Sequence, residues 1–500
     1  MTPITPNPGQ PDPLDNIQGN LIGFNKDHQR FIFVQFPDAV GGKGLLADLA
    51  SSIARASEVL EFNDLFKKVQ DRGADAGTVE ATWTNIALTG PGLEILGAPD
   101  RERMPEEFRQ CMAAAAARIG DVEDSAPTTW VAPFNNPALI HAVVLIAADD
   151  PDDLEACYAG LQAKLQARNV HELGHFDGAT RPGANRGHEH FGFKDGISQP
   201  GIAGLTKSSK GRDEIATGEF VIGYPDQDGN VSGTTPAPAP QPGQPGYGPN
   251  NPPPPAAGLP EWAKDGSFYV FRRLRQNVQG FNDFLSQQAA AVGLSPDQLG
   301  TKLVGRWKSG APLERTRTQD PNFAPTAVDP SIADPSILSD EHINDFDYEP
   351  QDADGHLVPR AAHIRKPNPR SEDPPTEAVS NRHRILRRGA PYGPDFSPGE
   401  PAYPGSGSPP DNQDRGLLFA CYQASILAGF EFIQQSWANT PGFPQADDGR
   451  DPIISQDVNN PDFHLPPHDP HLVTQRWVIT TGGEYFFSPS ISTLHLFATS

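Results

Sequence analysis

Cysteine is scarce in this 500-residue chain: there are three, Cys111, Cys157 and Cys421, and none forms a C-x-x-C pair. An odd, widely spaced set argues against a disulfide framework and suits a reducing compartment. Positive charge is also short, with 39 Lys and Arg against 63 Asp and Glu and a net charge of −24. Binding a duplex requires clustered cations to neutralise phosphates, so no nucleic-acid partner is expected. No apolar run reaches the ~18 residues that a spanning helix needs. The opening MTPITPNPGQPDPLDN has neither the basic flank nor the apolar centre of a secretory signal. The expectation is a soluble, cytoplasmic monomer or homodimer with no membrane partner.

What is plentiful is proline and glycine, 54 and 48 residues, well above average usage. They gather in long connections. Residues 1–13 read as a disordered segment. Residues 233–260, with PAPAPQPGQPGYGPNNPPPP, read as an extended, solvated insert without chemistry. Residues 320–350 and 367–375 are further Pro-rich polar loops. Loops this long need a reason in a compact domain, such as wrapping a cofactor.

Apolar residues make only 36% of the chain, but they come in short dense runs. Residues 30–36 (RFIFVQF), 78–88 and 141–148 (HAVVLIAA) read as strands by their β-formers. Residues 44–56, 105–119 and 151–167 read as helices, the last capped by Asp150 with Pro151 in its first turn. A short strand is expected at 169–176. The order then repeats: strand 267–274, helix 278–292, strands 384–388 and 416–422, helix 430–438, strand 484–487. Two β-α-β-β-α-β units predict an α+β protein of two ferredoxin-like halves with antiparallel sheets, spanning 14–214 and 215–498.

Two clusters carry candidate chemistry. HELGH, His171 to His175, fits the zinc-protease pattern H-E-x-x-H, which needs both His on one helix face. Gly174 is a weak helix former, the helix 151–167 has just ended, and turn residues follow. The competing reading is a strand with exposed His. In the second, HEHFGFKDGISQP, Gly192 and Gly196 flank a lone carboxylate, Asp195, held among Phe191, Phe193 and Ile197. Asp195 is either an Asp-Gly turn former or a functional acid–base group.

Three more segments bear on that choice. AAHIRKPNPR (361–370) sets His363 before a basic, Pro-rich loop. RILRRGAPYG (384–393) clusters three Arg. RGLLFACYQ (415–423) is a strand with Leu417 and Phe419 on one face. With GFKDG (192–196) and the opening DNIQGNLIG (15–23), these resemble the dye-decolorizing (DyP-type) peroxidase family, in its larger, loop-rich subgroup, over nearly the whole chain. GFKDG matches the family's GxxDG motif.

The resemblance implies two ferredoxin-like domains with one haem b per chain, mainly in the C-terminal half. It implies an enzyme that uses hydrogen peroxide to oxidise small or bulky aromatic donors, such as dyes and phenols, in one-electron steps. His363 would be the iron ligand, with Asp451 accepting from its second nitrogen. Asp195 would be the general base and then acid, and activity would persist at acidic pH. Arg387 would stabilise developing anionic charge, with Arg384 and Arg388 as rivals facing haem carboxylates or solvent. Leu417 and Phe419 would wall the pocket, and Arg365 and Arg306 would meet the haem propionates. Trp437 and Tyr392 would pass electrons from bulky donors at the surface. The rival readings are a haem-handling protein on the same scaffold and a zinc metalloprotease using HELGH.

Overall fold

Residues 31–34, Phe-Ile-Phe-Val, sit in strand β1 (His28–Gln35) with no exposed surface. A strand buried on both faces is a near-continuous apolar run rather than an alternating one, and β1 is paired on both edges. The computed structural model describes residues 12–72, 79–206, 213–231, 258–321, 343–344, 346–370, 376–396, 413–456, 462–466 and 471–500. Residues 1–11, nearly all of the Pro-rich insert and most of the expected loops at 320–350 and 367–375 lie outside that set.

Further strands are β2 (Trp83–Leu88), β3 (Ala142–Ala148), β4 (His171–Ala179), β5 (Ser267–Gln276), β6 (Leu386–Arg387), β7 (Ala390–Tyr392), β8 (Gly416–Gln423) and β9 (Val478–Ser488). The order across the first half is β4-β1-β3-β2, and across the second β9-β5-β8-β6, with β7 also on β8. Numbered within each half, with the short β6 and β7 counted as one interrupted strand on β8, both read 4-1-3-2, the ferredoxin-like order. The expectation of two separate sheets needs one change. Phe487 of β9 pairs with Leu88 of β2, so the halves share one nine-stranded antiparallel sheet.

Helices follow the expected places with instructive differences. The run expected at 44–56 is α1 (Ala39–Leu49), started by the Asp38 side chain accepting from Gly41 N. A second helix, α2 (Ala56–Asp71), was not expected, while α3 (Pro151–Ala167) matches. The expected helix 105–119 is broken at Cys111, which takes φ +68°. There Met112 N donates to Glu484 Oε1 at 2.9 Å, a tertiary bond in place of a helical one. In the second half α4 (Val278–Gln288) is followed by α5 (Pro296–Val304), and α6 (Ile491–Thr499) closes the chain. Among the described residues no helix is long and apolar enough to cross a membrane.

Two features position the site. On β5 and β8, Leu274 pairs with Leu417 and Arg272 with Phe419. Period-two alternation puts these side chains on one face, which forms a wall of a large cavity. Residues 427–438 continue the lining through Phe430, Ile433 and Gln434, with Phe430 packed against Phe419 and Arg272. They form wide helical turns, with Glu431 N bonded to Ile426 O and Asn439 N to Gln434 O, five residues apart. Such wide turns recur at functional sites.

Candidate active site

The cavity holds about 260 Å³ and is bounded by apolar side chains that include Val304, Ile364, Leu417, Phe419, Phe430 and Ile453. Asp195, Arg387 and His363 line it together, although they come from three distant segments.

Asp195 stands in a loop whose flanking glycines take φ +94° (Gly192) and +76° (Gly196), a backbone that other residues resist. Its Oδ1 accepts from Gly196 N at 2.6 Å and from Arg387 Nη1 at 2.9 Å. The turn reading therefore holds in the geometry, and the same oxygen also meets Arg387 at the cavity. About a third of each side chain in this pair is open, 36% for Asp195 and 30% for Arg387. Burial pushes the Asp195 carboxyl upward, but the Arg387 guanidinium and the Gly196 N–H outweigh it, so it lies below the ordinary Asp value.

Arg387 is one of the three candidate arginines, and the backbone selects it. β6 pairs Arg387 with Cys421, and Gln199 clamps its main chain with two hydrogen bonds of 3.1 Å. Arg388 turns the other way and gives its guanidinium to the carbonyls of Asn20, Leu21 and Ile22. Arg384 lines the cavity and reaches Asp213 at 3.4 Å.

His363 Nδ1 lies 2.9 Å from Asp451 Oδ2, as the sequence suggested. Asp451 has no exposed side-chain surface, and its Oδ1 accepts from Ile453 N at 2.7 Å and Ile454 N at 2.9 Å. Two amides thus orient the carboxylate, and with Nδ1 engaged by Asp451 the Nε2 of His363 is left for the cavity. Lys366, three residues on, braces the same unit. Its ammonium donates to the carbonyls of Thr440, Phe443 and Gly449, on the segment leading to Asp451.

Several expectations need correction. Arg365 does not line the cavity. It is fully buried against Asp352 and the Val358 carbonyl and lies over the Tyr348 ring, because buried Asp352 requires a cation. Arg306 does line the cavity, but it donates to the Gly310 and Ile343 carbonyls and to Asn344 Oδ1. Trp437 and Tyr392 are not surface residues, being 3% and 7% exposed. Trp437 stacks on Phe443 and meets His383 edge-on at 5.2 Å. Tyr392 donates to Asp414 and lies under Arg273.

HELGH is a bulged strand, not a helix. The register slips at Phe33/Val34, so Glu172 and His175 share a face and bond at 2.7 Å, with Tyr158 donating to Glu172. Among the described residues no group of three His, Cys, Asp or Glu is placed to hold a metal ion. In the second cluster His188 lies half-exposed and His190 Nε2 bonds the Tyr392 carbonyl, so neither joins the site.

The lining residues that sequence reasoning missed include two with ionisable side chains, Arg370 and His383. Arg370 takes φ +59°, donates to Ser198 Oγ at 3.2 Å, and its Nε has no partner among the described residues. It was only one more basic residue in a Pro-rich stretch. His383 also lines the cavity, with Nδ1 bonded to the Ala428 carbonyl at 2.6 Å, and burial lowers its pKa to about 4.

These residues fit a haem. Apolar walls suit the macrocycle, a basic imidazole offers one free nitrogen, and buried guanidinium groups suit carboxylates. Fold and site together thus define a haem-binding redox enzyme on a paired α+β scaffold. Comparison with known proteins narrows this. The DyP dimeric alpha+beta barrel domain matches residues 16–182, and the Dyp-type peroxidase C-terminal domain matches residues 255–446. A dye-decolorizing peroxidase of Exidia glandulosa is 34% identical, over 96% of this chain and 86% of that protein. The multifunctional dye peroxidase of an Amycolatopsis species is 30% identical, over 96% and 95%. The crystal structure of a fungal DyP-type peroxidase from Auricularia auricula-judae superposes with a TM-score of 0.77 at 30% identity, covering 97% of this chain and 99% of that one. The chain belongs to the dye-decolorizing peroxidase family of haem enzymes.

Proposed function

We propose that this protein reduces hydrogen peroxide and oxidises dyes, phenols and related aromatic donors one electron at a time, with Asp195 and Arg387 serving the peroxide. The supporting observation is a single one: the Asp195–Arg387 pair shares an apolar cavity with the His363–Asp451 pair.

Haem, when bound, supplies the iron that takes up the oxidising equivalents of peroxide. His363 Nε2 would hold it, and Arg370 and Arg384 would meet its carboxylates. Asp195, ionised, takes a proton from one peroxide oxygen and returns it to the other, which leaves as water. Arg387 donates its N–H to the oxygen on which negative charge grows. Asp451 keeps the His363 proton on Nδ1. Leu417 and Phe419 wall the pocket, admitting peroxide while turning away bulky donors.

The haem-handling reading is not favoured, because the acid–base group and its arginine are both in place. His363→Ala tests the ligand role. Wild type should bind one haem per chain with a Soret band, and the variant should lose haem on gel filtration. Undiminished haem content in the variant would refute His363.

A further inference from the structure

Glu189 lies six residues before Asp195 in the same loop, and the chemistry above does not use it. Its side chain turns back on that loop. Oε2 accepts from Phe191 N at 2.8 Å and Oε1 from Phe193 N at 2.9 Å. Gln276 Nε2, from the end of β5, donates to Oε2 at 2.5 Å. The main chain of Glu189 adds more. Its N–H donates to the Phe193 carbonyl at 3.0 Å, and its own carbonyl accepts from Gly192 N at 2.9 Å and Arg181 Nη1 at 2.6 Å.

One residue thus satisfies the amides of a tight turn and ties that turn to the sheet. Phe191 and Phe193, whose amides it holds, pack on Phe281 of α4 with ring centroids 4.5 and 6.5 Å away. Asp195 follows two positions after Phe193, and its own N–H donates to the Gly187 carbonyl across the loop. Glu189 also lines the cavity. Burial raises the Glu189 carboxyl above the ordinary Glu value, and against it three N–H donors converge on its two oxygens, an arrangement that favours the anion. A glutamine there has a single acceptor oxygen and would set an N–H against an N–H.

We infer that Glu189 is a positioning residue for Asp195: its carboxylate fixes the loop so that the Asp195 oxygens meet peroxide and Arg387 in the reactive geometry. The inference rests on the acid–base role proposed for Asp195. Small displacements of a reacting group cost rate steeply, on the order of 10²-fold for about 1 Å.

A double-mutant cycle on the holoenzyme tests it, with hydrogen–deuterium exchange as the second readout. Glu189→Gln should keep the Soret band, slow the reaction with stoichiometric peroxide roughly 10- to 100-fold, and speed exchange in the peptide spanning 187–196. In an Asp195→Asn background the same change should cost less than about twofold, because a group acting through Asp195 has nothing left to position. Equal losses in both backgrounds, or no loss in either, would overturn the inference. If Glu189→Gln fails to take up haem, Gln276→Leu replaces it in the cycle, since it removes one donor to the carboxylate and leaves the loop's own bonds intact. The same non-additivity is then expected, and additivity overturns the inference. If Asp195→Asn alone leaves the peroxide rate unchanged, the acid–base reading has failed, which is a separate result.

Discussion

At the scale of the residue, the proposed chemistry depends on a carboxylate held below the ordinary Asp value. Burial works against Asp195, and the Arg387 guanidinium and the Gly196 N–H more than reverse it. A folded-state pKa below the unfolded value of ~3.9 has two consequences. The ion pair contributes stability above the unfolded pKa, and this is lost as pH falls through the folded value. The base likewise works until pH falls through that same value. The bimolecular rate with peroxide should therefore hold down to about pH 4. Arg387→Leu removes the largest of the lowering influences, so its acid limb should move to higher pH, with a rate loss of roughly 10²- to 10³-fold at neutral pH. An unmoved limb in the rate–pH profile would count against the pairing. Asp195, His363 and Arg387 were legible only through the family resemblance their short motifs carry; local chemistry alone left Asp195 equally readable as a turn former. Arg365 was misread because adjacency to His363 says nothing of direction, and its partner Asp352 is a buried charge that no local pattern reveals. Arg370 was missed for the converse reason, since its place in the cavity depends on Ser198 and Asp213, far away in the chain.

At the scale of the element, the site is a matter of strand register. Leu417 and Phe419 were readable as one face of β8 by period two, and Arg272 and Leu274 of β5 lie opposite them on the same wall. Between β6 and β7 the chain passes close to β8 at Gly389, where an added Cβ would lie 2.4 Å from the Leu418 carbonyl oxygen. That contact is with backbone and cannot be relieved by a rotamer change. Gly389→Ala should therefore push β6 off β8, move Arg387, and lower the peroxide rate at least about tenfold, with the Soret band retained. A full-rate variant would show that the register of β6 does not set Arg387. Strand centres were easy to read, whereas helix limits were not. The break at Cys111 is imposed by Glu484, 373 positions away. By contrast, α5 was missed despite a local signal, the capping box of Ser295 and Gln298.

At the scale of the whole molecule, the twofold β-α-β-β-α-β order was legible from periodicity, but the joining of the halves was not. It runs through the single pair Phe487–Leu88, and pairing of strands so distant in sequence leaves no local mark. The same scale governs how bulky donors are served. Trp437 and Tyr392 are buried, so neither is a docking surface. We infer instead an internal relay through Trp437, supported by its contact with cavity-lining His383 and its stacking on half-exposed Phe443. Trp437→Phe should lower kcat for a bulky dye several-fold while leaving a small phenol within about twofold; equal losses would argue against the relay.

The central claim is that Asp195 moves the peroxide proton. Its most direct test is rapid mixing of holo Asp195→Asn with stoichiometric hydrogen peroxide, following the Soret band. An intact resting spectrum with a reaction slowed by roughly 10²- to 10⁴-fold is the expected result. A variant that reacts at the wild-type rate would contradict it.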